Sequence, residues 1–320
     1  MADVRLKSSF IYLANAVRDL IGNWRVFALV LAAPVLLASL CLLPDALNLQ
    51  HRVSEAFKLG NQGQSVAYIP AQEPYAALAR IEPLVPLWVT RTLHVLFVVL
   101  TAVTVVLVLC ALKWIREARD TVTPLDSTLQ IYRRSLTRLL PFTWLYVLQL
   151  IAALPMVIWV NWVNSTVPLL LAVPVVLLIV PGFLAAVWLS VAQYALVFDG
   201  YRTWLALFYG RELLRGRFIK VTVRIVVFLA VWSGYNSWAG GFFLALSLLL
   251  GLLGAFAGAL WVGVFLADFL SVSVVFATTA FFFAAGSRLY EDLKSSASAA
   301  AVSMVEGPVS PTGPLQSAAS

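Results

Sequence analysis

Long apolar runs alternate along this chain with shorter segments that carry most of its charge. A helix needs about 20 predominantly apolar residues to cross the hydrocarbon of a bilayer. Six runs approach or exceed that length, and each predicts one spanning helix: 26–43, 89–112, 139–160, 167–197, 221–241 and 258–286. The pattern therefore predicts an all-α integral membrane protein with six transmembrane helices.

The last two runs leave an alternative open. Almost every residue from 221 to 286 is apolar, and this length could hold three short spans instead of two. We predict two, with 242–257 forming either a helical connection in the outer leaflet or an extension of the fifth span.

Lysine and arginine are distributed unevenly among the segments between the spans. Four precede the first span, six lie between the second and third, five lie between the fourth and fifth, and the turn 161–166 has none. Cytoplasmic segments carry the excess of basic residues in membrane proteins. Because Arg288 and Lys294 also follow the last span, we predict that both termini lie in the cytoplasm.

Each basic segment also has an amphipathic helical pattern with steps of three and four residues. Such helices lie in the membrane interface with their apolar side towards the acyl chains. The apolar positions are Leu6, Phe10, Leu13, Val17, Leu20 and Trp24 in the first segment, Leu125, Leu129, Tyr132, Leu136 and Leu139 in the second, and Ala206, Tyr209 and Leu213 in the third. A unit of one interfacial helix and a two-helix hairpin thus occurs three times, which favours a threefold parallel repeat. The alternative is that the pattern does not reflect a repeat, because a basic loop precedes any hairpin and amphipathic segments are common there.

The chain divides into a membrane domain and a tail. Residues 1–294 form the predicted membrane domain, with an outer loop at about 44–88 that contains one amphipathic helix. Residues 295–320 are rich in alanine, serine and proline, so we predict a disordered cytoplasmic tail.

The composition agrees with a membrane domain and limits the classes of molecule that the chain is expected to bind. The chain is 62% hydrophobic and 12% charged, whereas soluble domains are about 25% charged. Its formal net charge of +7 is accounted for by cytoplasmic lysine and arginine. We therefore predict anionic membrane lipids as partners and no nucleic acid, and leave protein partners and the oligomeric state open.

Few residues suit catalysis or metal binding. His51 and His94 are the only histidines and lie on separate segments. Cys41 and Cys110 fall near opposite ends of their predicted helices, too far apart in depth for a disulfide. No metal-binding, phosphate-binding or nucleophile motif is present, so we predict no enzymatic activity and no cofactor.

Two sets of polar residues remain as candidates. Asp268 is the only acidic residue inside a predicted span, at a depth similar to that of Arg91, with which it could form an ion pair at the outer end. Asp292 lies near the end of the last helix, where a carboxylate opposes the helix dipole and requires a cation. We predict a cytoplasmic clasp between Asp292 and either Arg215 or Arg217.

Short motifs in the last third of the chain carry a family resemblance. They are the sequences VPGF at 180–183, LLRGRF at 213–218 and SRLYEDLK at 287–294. This part resembles the membrane region found beside some bacterial glycerophosphodiester phosphodiesterases and in related stand-alone inner-membrane proteins. The phosphodiesterase domain itself is absent, so the resemblance implies a fold and a location in the bacterial inner membrane, but no activity.

These observations favour a non-enzymatic multi-pass protein that acts as a scaffold, a regulator or an envelope- or lipid-associated factor. The alternative is a small transporter or lipid-handling protein with its substrate between the repeats. Transport would require polar side chains that converge at mid-bilayer, and the predicted spans hold few: Gln149, Gln193 and Asn236.

Overall fold

The structure is a computed structural model that describes residues 6–61, 81–117, 124–162, 169–256 and 259–305. Within these ranges it contains eight α-helices, one π-helical segment and no strand. The α-helices are α1 (Ser9–Gly22), α2 (Trp24–Asn61), α3 (Leu87–Glu117), α4 (Pro124–Trp162), α5 (Leu169–Tyr194), α6 (Thr203–Leu214), α7 (Phe218–Phe256) and α8 (Leu260–Val305). The π segment, Ala195–Asp199, continues α5.

Six of these helices are long and apolar enough to cross a membrane, which confirms the predicted all-α membrane fold. The qualifying stretches are Trp24–Glu55, Leu87–Glu117, Thr128–Met156, Leu177–Asp199, Phe218–Gly254 and Leu260–Ser298. Up to Phe256, the segment after the fifth predicted span continues α7. Of the two arrangements that the sequence left open for this segment, the structure therefore has the extension of the fifth span.

Two helices extend past the predicted boundaries. α2 continues through Pro44 to Asn61, so the amphipathic helix predicted in the outer loop is continuous with the first span. Disorder was expected from residue 295, but α8 continues to Val305. The reason is visible in both sequences: alanine and leucine in 44–61 and alanine in 295–305 are strong helix formers. Residues 62–80 and 306–320 lie outside the described ranges.

The three predicted interfacial segments are all helical. The first and third are separate helices, α1 and α6, whereas the second is continuous with the third span inside α4. The chain therefore follows the predicted order three times, with a short amphipathic segment before each hairpin. The hairpins are α2–α3, α4–α5 and α7–α8, and the helices of each pack against each other.

The second half of α3 forms the centre of the bundle. Eight consecutive residues, from Val105 to Leu112, are at most 5% exposed. A helix that is buried and apolar on every side is surrounded by other helices. Around it pack α2, α4, α8 and the π segment, so the tightest part of the core lies where α3 ends.

Candidate functional site

Several helix ends meet beside the end of α3, and we call this region the basic end. Arg288 of α8 reaches Asp19 of α1 there, and Arg138 of α4 reaches the carbonyl of Leu196 in the π segment. Most of the lysine and arginine residues that separate the apolar runs lie in the elements of this region. The basic end is therefore the part of the molecule with the richest polar chemistry.

Four charged side chains form a closed network, the charge cluster. Arg288 donates two hydrogen bonds to the carboxylate of Asp19, at 2.8 and 2.5 Å. Arg116 of α3 donates to Glu291 of α8, and its guanidinium lies 3.9 Å from the carboxylate of Asp19. Arg288 also lies 3.5 Å from Glu291. Two positive and two negative groups thus fasten α1, α3 and α8 together.

The cluster is partly withdrawn from water. The side chains of Arg116 and Asp19 are only 16% and 15% exposed. Charges at such positions must be paired and hydrogen-bonded to be tolerated. Arg116 meets this need further by donating to Ser287 at 2.7 Å and by lying over the ring of Phe198 at 5.2 Å. We conclude that the cluster is a structural joint with zero net charge.

The π segment at the end of α5 is held by cations from neighbouring helices. Lys113 donates to the carbonyl oxygens of Val197 and Phe198 at 3.3 and 2.7 Å, and Arg138 donates to that of Leu196. A helix C-terminus leaves carbonyls unpaired and carries partial negative charge. The two cations donate hydrogen bonds to the unpaired carbonyls and balance the partial negative charge, and they connect α3 and α4 to this end of α5.

Asp199, the last residue of the π segment, is paired with α8. Its carboxylate accepts hydrogen bonds from the hydroxyl of Tyr290 and the ammonium of Lys294. The side chain is 12% exposed. Since Lys113 and Arg138 bind carbonyl oxygens of the same segment, the π segment is the point where α3, α4, α5 and α8 are joined.

The structure gives Asp292 other partners than the predicted Arg215 or Arg217. Its carboxylate accepts a hydrogen bond from the Tyr12 hydroxyl at 2.6 Å and lies 3.3 Å from the Lys7 ammonium. Burial and the bond to Asp292 raise the pKa of the Tyr12 phenol. The carboxylate does receive a cation, but it comes from the chain before α1, because α1 packs along α8.

Arg217 nevertheless joins the start of α7 to the end of α8. Its guanidinium donates to the hydroxyl of Ser296 and to the backbone carbonyl of Leu293. Arg215 points elsewhere and lies 3.7 Å from Glu212 with its side chain 82% exposed. The predicted connection between these two elements is therefore present, with a carbonyl and a hydroxyl in place of Asp292.

The other predicted pair, Arg91 with Asp268, is also not formed. Arg91 is exposed on α3, and Asp268 is half-buried on α8. At that end of the bundle, a hydrogen bond of 2.8 Å instead joins His94 of α3 to Asp45 of α2. Its formation follows from the packing of α2 against α3, which brings Asp45 next to the helical turn after Arg91.

Each amphipathic segment has two apolar faces, of which only one packs against the bundle. In α1, Tyr12 and Ala16 are buried, whereas Phe10 and Ile21 are 74% and 68% exposed. The segments in α4 and α6 repeat this arrangement. The exposed stripes are Phe10, Val17 and Ile21 on α1 with Trp24 at the start of α2, Leu129, Leu136 and Leu140 on α4, and Trp204, Leu205 and Phe208 on α6.

Inside the bundle, polar side chains surround a small cavity. Gln149 of α4 donates to Ser190 of α5 at 2.8 Å and accepts from Gln193 at 2.6 Å. Gln149, Ser190 and Tyr194 line a cavity of about 30 Å³. A space of this size holds about one water molecule. The space beside Gln149 is therefore too small for a solute, and Asn236, on α7, is bonded elsewhere, to Thr278 of α8.

Sequence reasoning missed the charge cluster because it counted Arg116 and Arg288 only as signals of orientation. The sequence does contain an indication of the cluster, because Asp19 and Glu291 lie at the same predicted depth in the membrane as those two arginines and could therefore pair with them. Cys41 and Cys110 are buried free thiols, as predicted. Within the described ranges, histidine, cysteine, aspartate and glutamate form no group suited to a metal ion.

Comparisons with protein-family models, with curated proteins and with solved structures found no match for this chain. The resemblance to the membrane region of glycerophosphodiester phosphodiesterases therefore stays a prediction.

Proposed function

We propose that this chain is a non-enzymatic, lipid-associated protein of the cell membrane whose basic end lies in the cytoplasmic leaflet and binds anionic lipid. The observation that carries the proposal is the second apolar face on each amphipathic segment. Three exposed stripes, each beside exposed arginines, occur at the same end of the bundle. Apolar side chains in such number are unfavourable in water, whereas the interface of a bilayer accepts them together with the basic residues.

The distribution of charge supports the orientation. The basic segments before the first, third and fifth spans all belong to this end, and positive charge is enriched on the cytoplasmic side of membranes. The cytoplasmic leaflet carries the anionic lipids that attract basic residues. Both termini are accordingly proposed to be cytoplasmic, in the inner membrane if the host is bacterial.

Three features favour a scaffolding or regulatory role over transport. The charge cluster, the bonds to the π segment and the pairing of Asp292 with Tyr12 all fix helices to each other. The cavity beside Gln149 and Ser190 is only about 30 Å³. Transport of a solute through this region would require these contacts to open, so we keep the transporter as the second candidate.

The proposal is tested by lipid enrichment around the purified full-length protein. Delipidated protein is incorporated into nanodiscs from an equimolar mixture of dioleoyl phosphatidylglycerol and dioleoyl phosphatidylcholine. Spin-labelled forms of each lipid then report the fraction held at the protein surface. We expect phosphatidylglycerol to be enriched at low salt and less so at high salt, because screening weakens surface charge interactions. Equal fractions of the two lipids at both salt concentrations would refute the proposal.

A variant series separates the electrostatic contribution from the apolar one. Arg18, Arg133 and Arg211 are exposed, and each belongs to a different amphipathic segment. Replacing all three by glutamine should abolish the preference for phosphatidylglycerol. Replacing Phe10, Leu136 and Trp204 by serine should instead weaken contact with both lipids.

A further inference from the structure

The three repeats do not pack equally well against each other. The second helix of the first repeat, α3, packs against α4, and the second helix of the third repeat, α8, packs against α2. By contrast, the second helix of the middle repeat, α5, touches α7 only lightly. The boundary between the second and third repeats is therefore open along one side.

A groove of about 760 Å³ lies at this open boundary, and we call it the α5–α7 groove. Its walls are apolar, with Leu184, Ala185 and Trp188 on α5 and Phe218 on α7. Its rim is formed by the end of α6 and the turn that follows, and includes Arg211 and Arg215. Sites for small molecules have volumes of about 300–1,000 Å³, mostly apolar walls and a few polar groups.

The sequence keeps this groove open by holding α6 tightly against α5. The indole of Trp188 donates to the carbonyl of Leu207 at 2.9 Å. A Cβ on Gly210 would lie 3.1 Å from the backbone nitrogen of Ala192, so only glycine permits this approach without displacement. Gly216 then turns the chain into α7 with φ of 73°, a conformation that favours glycine.

The two arginines on the rim are available for a ligand. Arg211 is exposed and makes no hydrogen bond or ion pair with the residues that the structure describes. Arg215 has only Glu212 near it, at 3.7 Å, and both side chains are largely exposed. Two cations and one carboxylate leave the rim with a net positive charge, which suits a single anionic group.

The boundary between the third and first repeats differs from the α5–α7 groove in how its charges are paired. There the amphipathic helix α1 presents Asp19, and Arg288 of the adjacent span binds it. In the third repeat, α6 and the turn after it present Arg211 and Arg215 to a groove whose α5 wall is apolar. The protein thus balances its own charges at one boundary and leaves a net positive charge at the other.

We propose that the α5–α7 groove binds one anionic phospholipid, with its phosphate at Arg211 and Arg215 and an acyl chain along Leu184, Ala185, Trp188 and Phe218. The inference rests on the proposed function and adds to it a specific site with a single occupant. A phospholipid fits because it joins one anionic group to a long apolar chain, as the rim and the walls require. Arginine also matches phosphate oxygens with two parallel hydrogen bonds.

Native mass spectrometry of the full-length protein in detergent tests this inference. The protein is incubated with dioleoyl phosphatidylglycerol or, separately, with dioleoyl phosphatidylcholine. We expect one phosphatidylglycerol molecule to remain bound under activation that removes the others. The double variant Arg211→Gln/Arg215→Gln should weaken this binding by about fivefold for each arginine. Ala185→Trp should reduce it independently, because the larger side chain fills the apolar wall.

Two control variants make the result specific. Arg25→Gln/Arg91→Gln removes the same charge from exposed positions outside the groove and should retain the bound lipid. Arg211→Lys/Arg215→Lys keeps the charge and should restore part of the binding, which also excludes unfolding as the cause of a loss.

Each remaining outcome is decisive. If the glutamine double variant and Ala185→Trp both retain one phosphatidylglycerol as the wild type does, the groove is not the binding site. The proposed function would still stand in that case, provided that the wild-type protein enriches the anionic lipid in nanodiscs. Retention of phosphatidylcholine as strongly as phosphatidylglycerol overturns the inference about the headgroup. Absence of enrichment in nanodiscs refutes the proposed function itself, independently of the groove.

Discussion

Arg288 holds Asp19 through two hydrogen bonds, at 2.8 and 2.5 Å, and so joins the last long helix of the chain to the first short one. The carboxylate is 15% exposed, and its second cation, Arg116, lies 3.9 Å away. This bidentate geometry keeps α1 against α8. It thereby determines which of the two apolar faces of α1 remains exposed.

The first prediction concerns this pair. Asp19→Ala should lower the stability of the protein in detergent by about 3 kcal/mol, because it removes the carboxylate that accepts both hydrogen bonds of Arg288 and balances the charge of partly buried Arg116. The measurement is the thermal unfolding midpoint followed by circular dichroism. Arg18→Ala, at an exposed position of the same helix, is the control and should change the midpoint little. Equal effects of the two variants would contradict the structural role of the cluster.

The second prediction is a pH dependence. Burial and the bond to Asp292 raise the pKa of Tyr12 above its ordinary value of 10.0. A phenol whose pKa is higher in the folded state contributes stability below the pKa of the unfolded chain and loses it as pH rises above that value. The unfolding midpoint of the wild type should therefore fall above about pH 10. Tyr12→Phe should be less stable at pH 8 and show a shallower fall; identical slopes would contradict the assignment.

Much of the fold could be predicted because a bilayer imposes a simple length rule. The six spans follow from uninterrupted apolar runs, and their continuity depends on little else. The errors occur where the rule says nothing. The apolar pattern predicts that the first span ends just before Pro44, yet the helix continues past it, because a proline ends a helix only where its neighbours cannot accommodate the lost hydrogen bond.

The partners at the basic end could not be predicted from spacing. Periodicity places Phe10, Leu13 and Val17 on one apolar stripe, but it does not show that Leu13 is buried while Phe10 and Val17 stay exposed. For the same reason Asp292 was assigned a cation from the nearest basic loop. Its partner Tyr12 lies 280 positions away in sequence, and only the packing of α1 on α8 brings the two together.

The third prediction tests the cations on the π segment. Lys113→Met should destabilise the protein by about 1–3 kcal/mol, because it leaves the carbonyls of Val197 and Phe198 without a donor. Lys113→Arg should retain most of the stability, since a guanidinium also donates and is positively charged. Arg133→Met, at an exposed position, controls for the loss of one charge. If Lys113→Met and Arg133→Met unfold at the same temperature, the contact does not contribute to stability.

The fourth prediction concerns topology. With six spans and the basic end in the cytoplasm, a green fluorescent protein fused to the C-terminus should fluoresce in a bacterial host. Alkaline phosphatase fused at the same place should be inactive, because it requires the oxidising side of the membrane. The opposite pair of results would mean an odd number of spans or an inverted orientation. A phosphatase fusion placed after residue 165, in the turn without basic residues, should be active and serves as the positive control.

The last prediction separates the observed partners of Asp292 from the pairing that the sequence favoured. Asp292 accepts a hydrogen bond from Tyr12, whereas Arg217 binds Ser296 and the Leu293 carbonyl. Residues in contact show coupling of about 0.5–3 kcal/mol in a double-mutant cycle, and residues without shared partners are nearly additive. Asp292→Ala combined with Tyr12→Phe should therefore destabilise the protein by less than the sum of the single variants.

Asp292→Ala combined with Arg217→Ala should instead give close to the sum, because the two side chains act on different groups of α1 and α8. Both cycles are measured as thermal midpoints in the same detergent, so that differences between cycles do not depend on the medium. Strong coupling of Asp292 to Arg217, together with additivity against Tyr12, would reverse the assignment and restore the clasp that the sequence predicted. The expected pattern would show that Asp292 fastens α8 to the N-terminal helix, and that Arg217 holds the end of α8 through separate contacts.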